Sequence, residues 1–127
     1  MKKAIIKTNN APSAIGPYSQ GISFEQLIFS SGQIPLNPED GSGPSGDITQ
    51  QTTLALENLK AVLEAGGGSL DTVIKTTCFL TDMAHFAEFN AVYSQYFTAN
   101  FPARSCIAVA SLPKGCLVEV EAIAYKL

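Results

Sequence analysis

Residues 47–80 read DITQQTTLALENLKAVLEAGGGSLDTVIKTTCFL. Ile48, Thr52, Ala55, Leu56, Leu59, Val62 and Leu63 recur at helical spacing, which gives a helix from Ile48 to about Ala65 one apolar face. Asp47 is placed to cap the first turn, and Gly66-Gly67-Gly68 ends the helix. The composition then changes. Thr72–Leu80 is rich in β-branched and aromatic residues and reads as a strand.

The same alternation continues downstream. Asp82 can cap a second helix running to about Ala99, with the stripe Phe86, Phe89, Asn90, Tyr93, Tyr96 and Phe97, and Pro102 forbids its continuation. Arg104–Ala110 and Leu117–Tyr125 are the last strands, joined across Leu112-Pro113-Lys114-Gly115. Upstream, Ala4–Lys7, Tyr18–Phe24 and Leu27–Ser31 are strand candidates, separated by the turn Ile15-Gly16-Pro17 and closed by Gly32 and Pro35. Asn37–Gly46 is a loop-rich surface excursion, too short to separate domains. Strand–helix–strand–helix–strand order demands crossover connections, with both helices on one face of a single sheet. The expected architecture is a two-layer α/β sandwich of the α+β class, in one domain over residues 1–127. The second sheet face then needs cover. An apolar share of 46% with only 15% charged residues fits cover by further subunits.

Charge and cysteine usage narrow the function classes. The net charge is −3 and no basic run occurs, which argues against nucleic acid as a partner. Cys78, Cys106 and Cys116 are odd in number and lack a Cys-x-x-Cys spacing. No signal peptide and no apolar run long enough for a bilayer is evident, so a cytoplasmic protein with reduced thiols is expected, away from membranes. His85 is the lone histidine, which argues against a His/Cys metal site.

Arg104 is the only arginine, set in Phe101-Pro102-Ala103-Arg104-Ser105-Cys106, with surface cation duty left to seven lysines. A guanidinium offers a planar fork that grips a carboxylate at two points, which lysine does poorly. Strand alternation puts Val118, Val120, Ala122 and Ala124 on one face, suited to packing under helices. Glu119 and Glu121 share the other, with alpha carbons about 7 Å apart. Arg104 and a glutamate could meet, either as a structural ion pair or as an anion seat beside a proton-handling carboxylate, Glu119. Tyr18 is either the wall and donor of a small cleft or a half-buried core tyrosine. Ser31 is either a turn hydroxyl or a cleft residue, and no Gly-x-Ser-x-Gly context marks it as a hydrolase nucleophile. Asn90 is hydrogen-bonded in the core or faces a cleft. Cys106 has Arg104 nearby to favour a thiolate.

Taken in order, Ala14-Ile15-Gly16-Pro17-Tyr18-Ser19-Gln20-Gly21, Ser30-Ser31-Gly32-Gln33-Ile34-Pro35, Val73–Asp82, Phe101–Cys106 and Val118–Ala124 resemble the reactive-intermediate deaminases, the Rid or YjgF-like family. The resemblance runs from about Ala11 to Tyr125. It implies a chorismate-mutase-like fold and a homotrimer with sites in clefts between subunits. It implies hydrolysis of 2-enamine and 2-imine acids, released by pyridoxal-phosphate-dependent serine or threonine dehydratases, to 2-keto acids and ammonia. By matched position Arg104 binds the substrate carboxylate and Glu119 serves the attacking water. Tyr18, Ser31, Asn90 and Cys106 match further site positions. An imine is already activated, so neither metal nor organic cofactor is expected. Two alternatives stand beside this reading: the endoribonuclease or translation-inhibitor label that some relatives carry, and a non-enzymatic, chaperone-like trimer that binds small carboxylates. The glycine-rich loop Asp40–Asp47 and Gly115-Cys116 depart from the family pattern without touching the matched positions.

Overall fold

The computed structural model describes residues 2–127. Six strands form one mixed sheet: β1 (Ala4–Ile6), β2 (Gly21–Phe24), β3 (Leu27–Ser30), β4 (Val73–Leu80), β5 (Ala103–Ala108) and β6 (Val118–Tyr125), in spatial order β1-β2-β3-β6-β4-β5. All neighbours are antiparallel except β4 and β5. Helix α1 (Ile48–Ala65) connects β3 to β4, and α2 (Phe86–Tyr96) connects β4 to β5. β6 is inserted between β3 and β4, antiparallel to each, so those two strands run parallel as the α1 crossover requires. The last two strands are therefore consecutive in sequence without being neighbours in the sheet.

Both helices lie on one face. Ala55, Leu56, Leu59, Val62 and Leu63 of α1 and Phe89 and Val92 of α2 bury against Ile28, Cys78, Leu80, Val118, Val120 and Ala124. The alternation expected for the last strand holds: its helix-facing residues are buried and Glu119, Glu121 and Ile123 are half-buried on the reverse face. α1 begins on a reciprocal cap, with the Asp47 carboxylate accepting from the Gln50 amide and the Gln50 side chain accepting from the Asp47 amide, 2.9 Å each. Its polar residues brace loops. Asn58 donates to the carbonyls of Ile34 and Leu36, and Gln51 accepts from Leu117 N–H at 2.9 Å.

Two element expectations shift. The second helix stops at Tyr96, not near Ala99: Phe97 turns extended while its ring stacks on Tyr93 at 4.5 Å, so the core contact survives without another helical turn. The strand expected from Tyr18 begins only at Gly21, because Tyr18 N–H closes a tight turn onto the Gly16 carbonyl at 2.9 Å. Gly16 sits at φ +127°, a conformation that favours glycine.

Candidate active site

Arg104 is half-buried at the second position of edge strand β5. Its register partner is Thr76, and Cys106 pairs with Cys78. Thr76 and Cys78 are fully buried under the helices, so Arg104 and Cys106 share the helix-side face. There Arg104 Nη1 donates to Asn90 Oδ1 at 2.7 Å. Its guanidinium carbon stands 4.7 Å from the centre of the Tyr93 ring and 5.6 Å from that of Phe86. Asn90, Tyr93, Phe97, Phe101, Pro102 and Arg104 line an open cavity of about 360 Å³. A charged fork in a mostly apolar wall can clasp a small carboxylate.

Glu119 pairs with Phe79 and projects from the opposite face of the sheet. It lines a second cleft, of about 580 Å³, with Ile15, Tyr18, Ser31, Gly32, Gln33 and Lys114. Burial, reinforced by the nearby negative charge of Glu121, holds the Glu119 carboxyl above the usual carboxylate range. Gly32 makes room for it: a β-carbon there would come within 2.7 Å of Glu119 Cδ. Tyr18 is 55% exposed, with its ring over this cleft and its hydroxyl accepting from Ile15 N–H at 3.3 Å. Ser31 is committed to structure. Its hydroxyl donates to the Ser19 carbonyl and its N–H to the Gln20 carbonyl, which ties the Tyr18 loop to the end of β3. Gln20 is buried and clamps the same wall, its amide nitrogen donating to the carbonyls of Thr8, Ala11 and Pro12.

The site residues expected from sequence thus fall into two groups within one chain: Arg104, Asn90 and Cys106 on one face, Tyr18, Ser31 and Glu119 on the other. Arg104 and Glu119 do not meet. One strand, β4, separates β5 from β6, and their register partners on it lie three residues, about 10 Å, apart. The expected thiolate at Cys106 is also corrected: desolvation outweighs the attraction of Arg104 and pushes the thiol up. Cys78 is pushed up to about 12, chiefly by burial. His85 is half-buried at the start of α2. Tyr93, Phe86, Gly32 and Gln20 went unnoticed as site residues. An i, i+4, i+7 relation among Phe86, Asn90 and Tyr93 was the available signal for the first two.

The family model described as Endoribonuclease L-PSP matches residues 8–126. A RutC family protein of Pyrococcus horikoshii is 52% identical over 124 residues, covering 98% of each chain. The 2-iminobutanoate/2-iminopropanoate deaminase of Escherichia coli is 48% identical, covering 95% of this chain and 96% of that protein. Among solved structures, Escherichia coli TdcF with bound serine superposes with a TM-score of 0.92 at 47% identity, over 98% of this chain and 99% of that one. Yeast Mmf1 superposes with a TM-score of 0.96 at 39% identity, over 99% of this chain and all of that one.

Proposed function

The chain belongs to the Endoribonuclease L-PSP family, which includes the YjgF-like reactive-intermediate deaminases, and from that premise we propose that it hydrolyses 2-imino acids such as 2-iminobutanoate and 2-iminopropanoate to 2-keto acids and ammonia. The observation that carries this reading is the solitary guanidinium, held by Asn90 and the Tyr93 ring at the edge of an open, mostly apolar cavity with room for a small carboxylate. The working unit is a homotrimer in which Arg104, Asn90 and Cys106 of one protomer close over Tyr18, Ser31 and Glu119 of the next. Placement of the two groups on opposite faces of one sheet supports that division.

In this reading Arg104 holds the substrate carboxylate through paired charged hydrogen bonds, each contributing about 1.5–3 kcal/mol. The clasp presents C2 of the imine to a water beside Glu119. An enamine first takes a proton at C3, which gives the protonated imine. Water oxygen then bonds to C2 as the C=N π pair moves to nitrogen, and Glu119 accepts the proton that the water loses. Glu119 returns this proton to the amino nitrogen, the C–N bond breaks as the C=O bond forms, ammonia departs, and the hydroxyl proton passes to Glu119. Tyr18 walls the cleft and Ser31 fixes its loop. Pyridoxal-phosphate-dependent serine and threonine dehydratases are the class of enzyme that releases such imines, in the cytoplasm.

The test couples a threonine dehydratase to the protein and traps residual imine with semicarbazide. Wild-type protein should lower the trapped amount. Arg104→Ala should lose about 100-fold or more, and Arg104→Lys nearly as much, because the fork is lost. Full activity in Arg104→Ala sinks the proposal. Binding of 2-keto acids without any imine turnover would favour a carboxylate-binding trimer instead. RNA cleavage lost in Arg104→Ala would favour the endoribonuclease reading.

A further inference from the structure

The Arg104 guanidinium is touched by three residues of α2, Phe86, Asn90 and Tyr93, spaced so that they share one helix face. Tyr93 differs from the other two because its far end is fixed. Its hydroxyl lies 2.8 Å from Thr76 Oγ1. Thr76 is fully buried in β4 and is the register partner of Arg104 itself. The backbone at Arg104, the Thr76 hydroxyl, the Tyr93 ring and the Arg104 side chain therefore form a closed loop of contacts. Tyr93 is only 7% exposed and is packed between a tilted Phe89 ring and a stacked Phe97 ring, with centroids 5.7 and 4.5 Å away. This ring has little freedom to move.

We infer that Tyr93 is a positioning residue, whose Thr76-anchored ring is the platform that orients the Arg104 guanidinium to receive the substrate carboxylate. The inference rests on the deaminase reading for its substrate but not for its geometry. A free arginine side chain samples many rotamers, and ordering it on binding weakens affinity. Here the ring covers one face of the guanidinium and Asn90 Oδ1 accepts one of its N–H hydrogen bonds, which leaves the remaining donors to the cavity. Burial also holds the phenol above its ordinary pKa. No phenolate then forms beside the guanidinium to compete with the substrate.

Because Arg104 is the sole arginine, protein labelled with ¹⁵N-arginine carries one side-chain Nε–H signal, a direct report on this contact. In the wild type the Tyr93 ring current should shift that signal upfield from free arginine, and 2-ketobutyrate should move it further. Tyr93→Leu should return the signal to the free-arginine position. It should raise both the 2-ketobutyrate Kd and the imine KM about tenfold, within the range of a cation–π contact, with kcat changed less than about twofold. Tyr93→Phe keeps the ring and loses the anchor, so it should hold part of the shift and weaken binding about threefold. It carries the test if the leucine variant does not fold. An unshifted wild-type signal, or variants that bind 2-ketobutyrate as the wild type does, overturns the inference while leaving the deaminase reading intact. Wild-type protein that shows the ring-current shift but neither binds 2-ketobutyrate nor consumes imine overturns the deaminase reading, and with it the role given to the platform.

Discussion

Glu119 sets the pH range of the proposed chemistry, because only its carboxylate form can take a proton from water. Its raised pKa places the acid limb of kcat/KM above the ordinary glutamate range, and a pH–rate profile measures it. The same shift is a stability statement. Below the ordinary range Glu119 is protonated in both folded and unfolded chains and contributes nothing. As pH rises, the unfolded chain ionises first, so folding loses stability until the folded value is passed, and the penalty is then constant. Glu119→Gln should therefore leave Tm unchanged near pH 3 and raise it at pH 7.5, while abolishing turnover. A lower Tm at pH 7.5 would contradict the assigned burial. Gly32 acts on the same group. A methyl at this position meets the Glu119 side chain at Cδ and Cγ, not only at its oxygens, so the carboxylate must swing away. Gly32→Ala should cost at least about tenfold in kcat with Tm altered by only a few degrees, since a flexible side chain absorbs the clash. Unchanged kcat would mean that the water is served from elsewhere.

Among the elements, α1 is the part that its own residues explain best, from apolar spacing to cap. The Asp47–Gln50 reciprocal pair satisfies donors that would otherwise be orphaned at the helix start. Asp47→Ala should cost about 1 kcal/mol and lower Tm by about 2–6 °C with little change in kcat, checked by calorimetry beside the imine assay. An equal loss of activity would instead point to a route from α1 to the Glu119 cleft through Gln51 and Leu117. This helix was legible because periodicity, cap and glycine stop all act locally. The alternation of β6 was legible for the same reason, and it placed Glu119 on the outer face. Arg104 stood out by being solitary. What stayed hidden depends on contacts distant in sequence. The face that Arg104 takes is decided by its pairing with Thr76 in β4, 28 positions earlier. Tyr93 looked like core because its ring is core, and its hydroxyl partner lies 17 residues away. The second helix ended early because stacking of Phe97 on Tyr93 replaces the last helical turn, which no local pattern records.

At the scale of the molecule, the sheet face opposite the helices carries Phe29, Ile107 and Tyr125 at 39%, 49% and 45% exposure, around half-buried Glu119 and Glu121. Large apolar side chains gathered on one face are a feature of surfaces that meet another protein. If a second copy covers this face, one protomer brings Arg104 and its neighbour brings Glu119, and each complete site belongs to two chains. That arrangement makes a prediction that no single-chain site shares. Arg104→Ala chains lack the anion seat but keep the carboxylate, whereas Glu119→Gln chains have the reverse defect. Each variant alone should be inactive. Unfolded together in equal amounts and refolded, they should form mixed assemblies. A wild-type site then arises wherever a Glu119→Gln chain supplies the arginine and an Arg104→Ala chain supplies the glutamate. Random mixing makes each condition true half the time, so roughly a quarter of wild-type turnover should return. Refolding either variant alone under the same conditions controls for recovery by other means. A mixture no more active than its components, with mixed assemblies verified by native mass spectrometry, would place both functional groups in one chain. It would then require a rearrangement of the sheet to bring Arg104 and Glu119 to the same face.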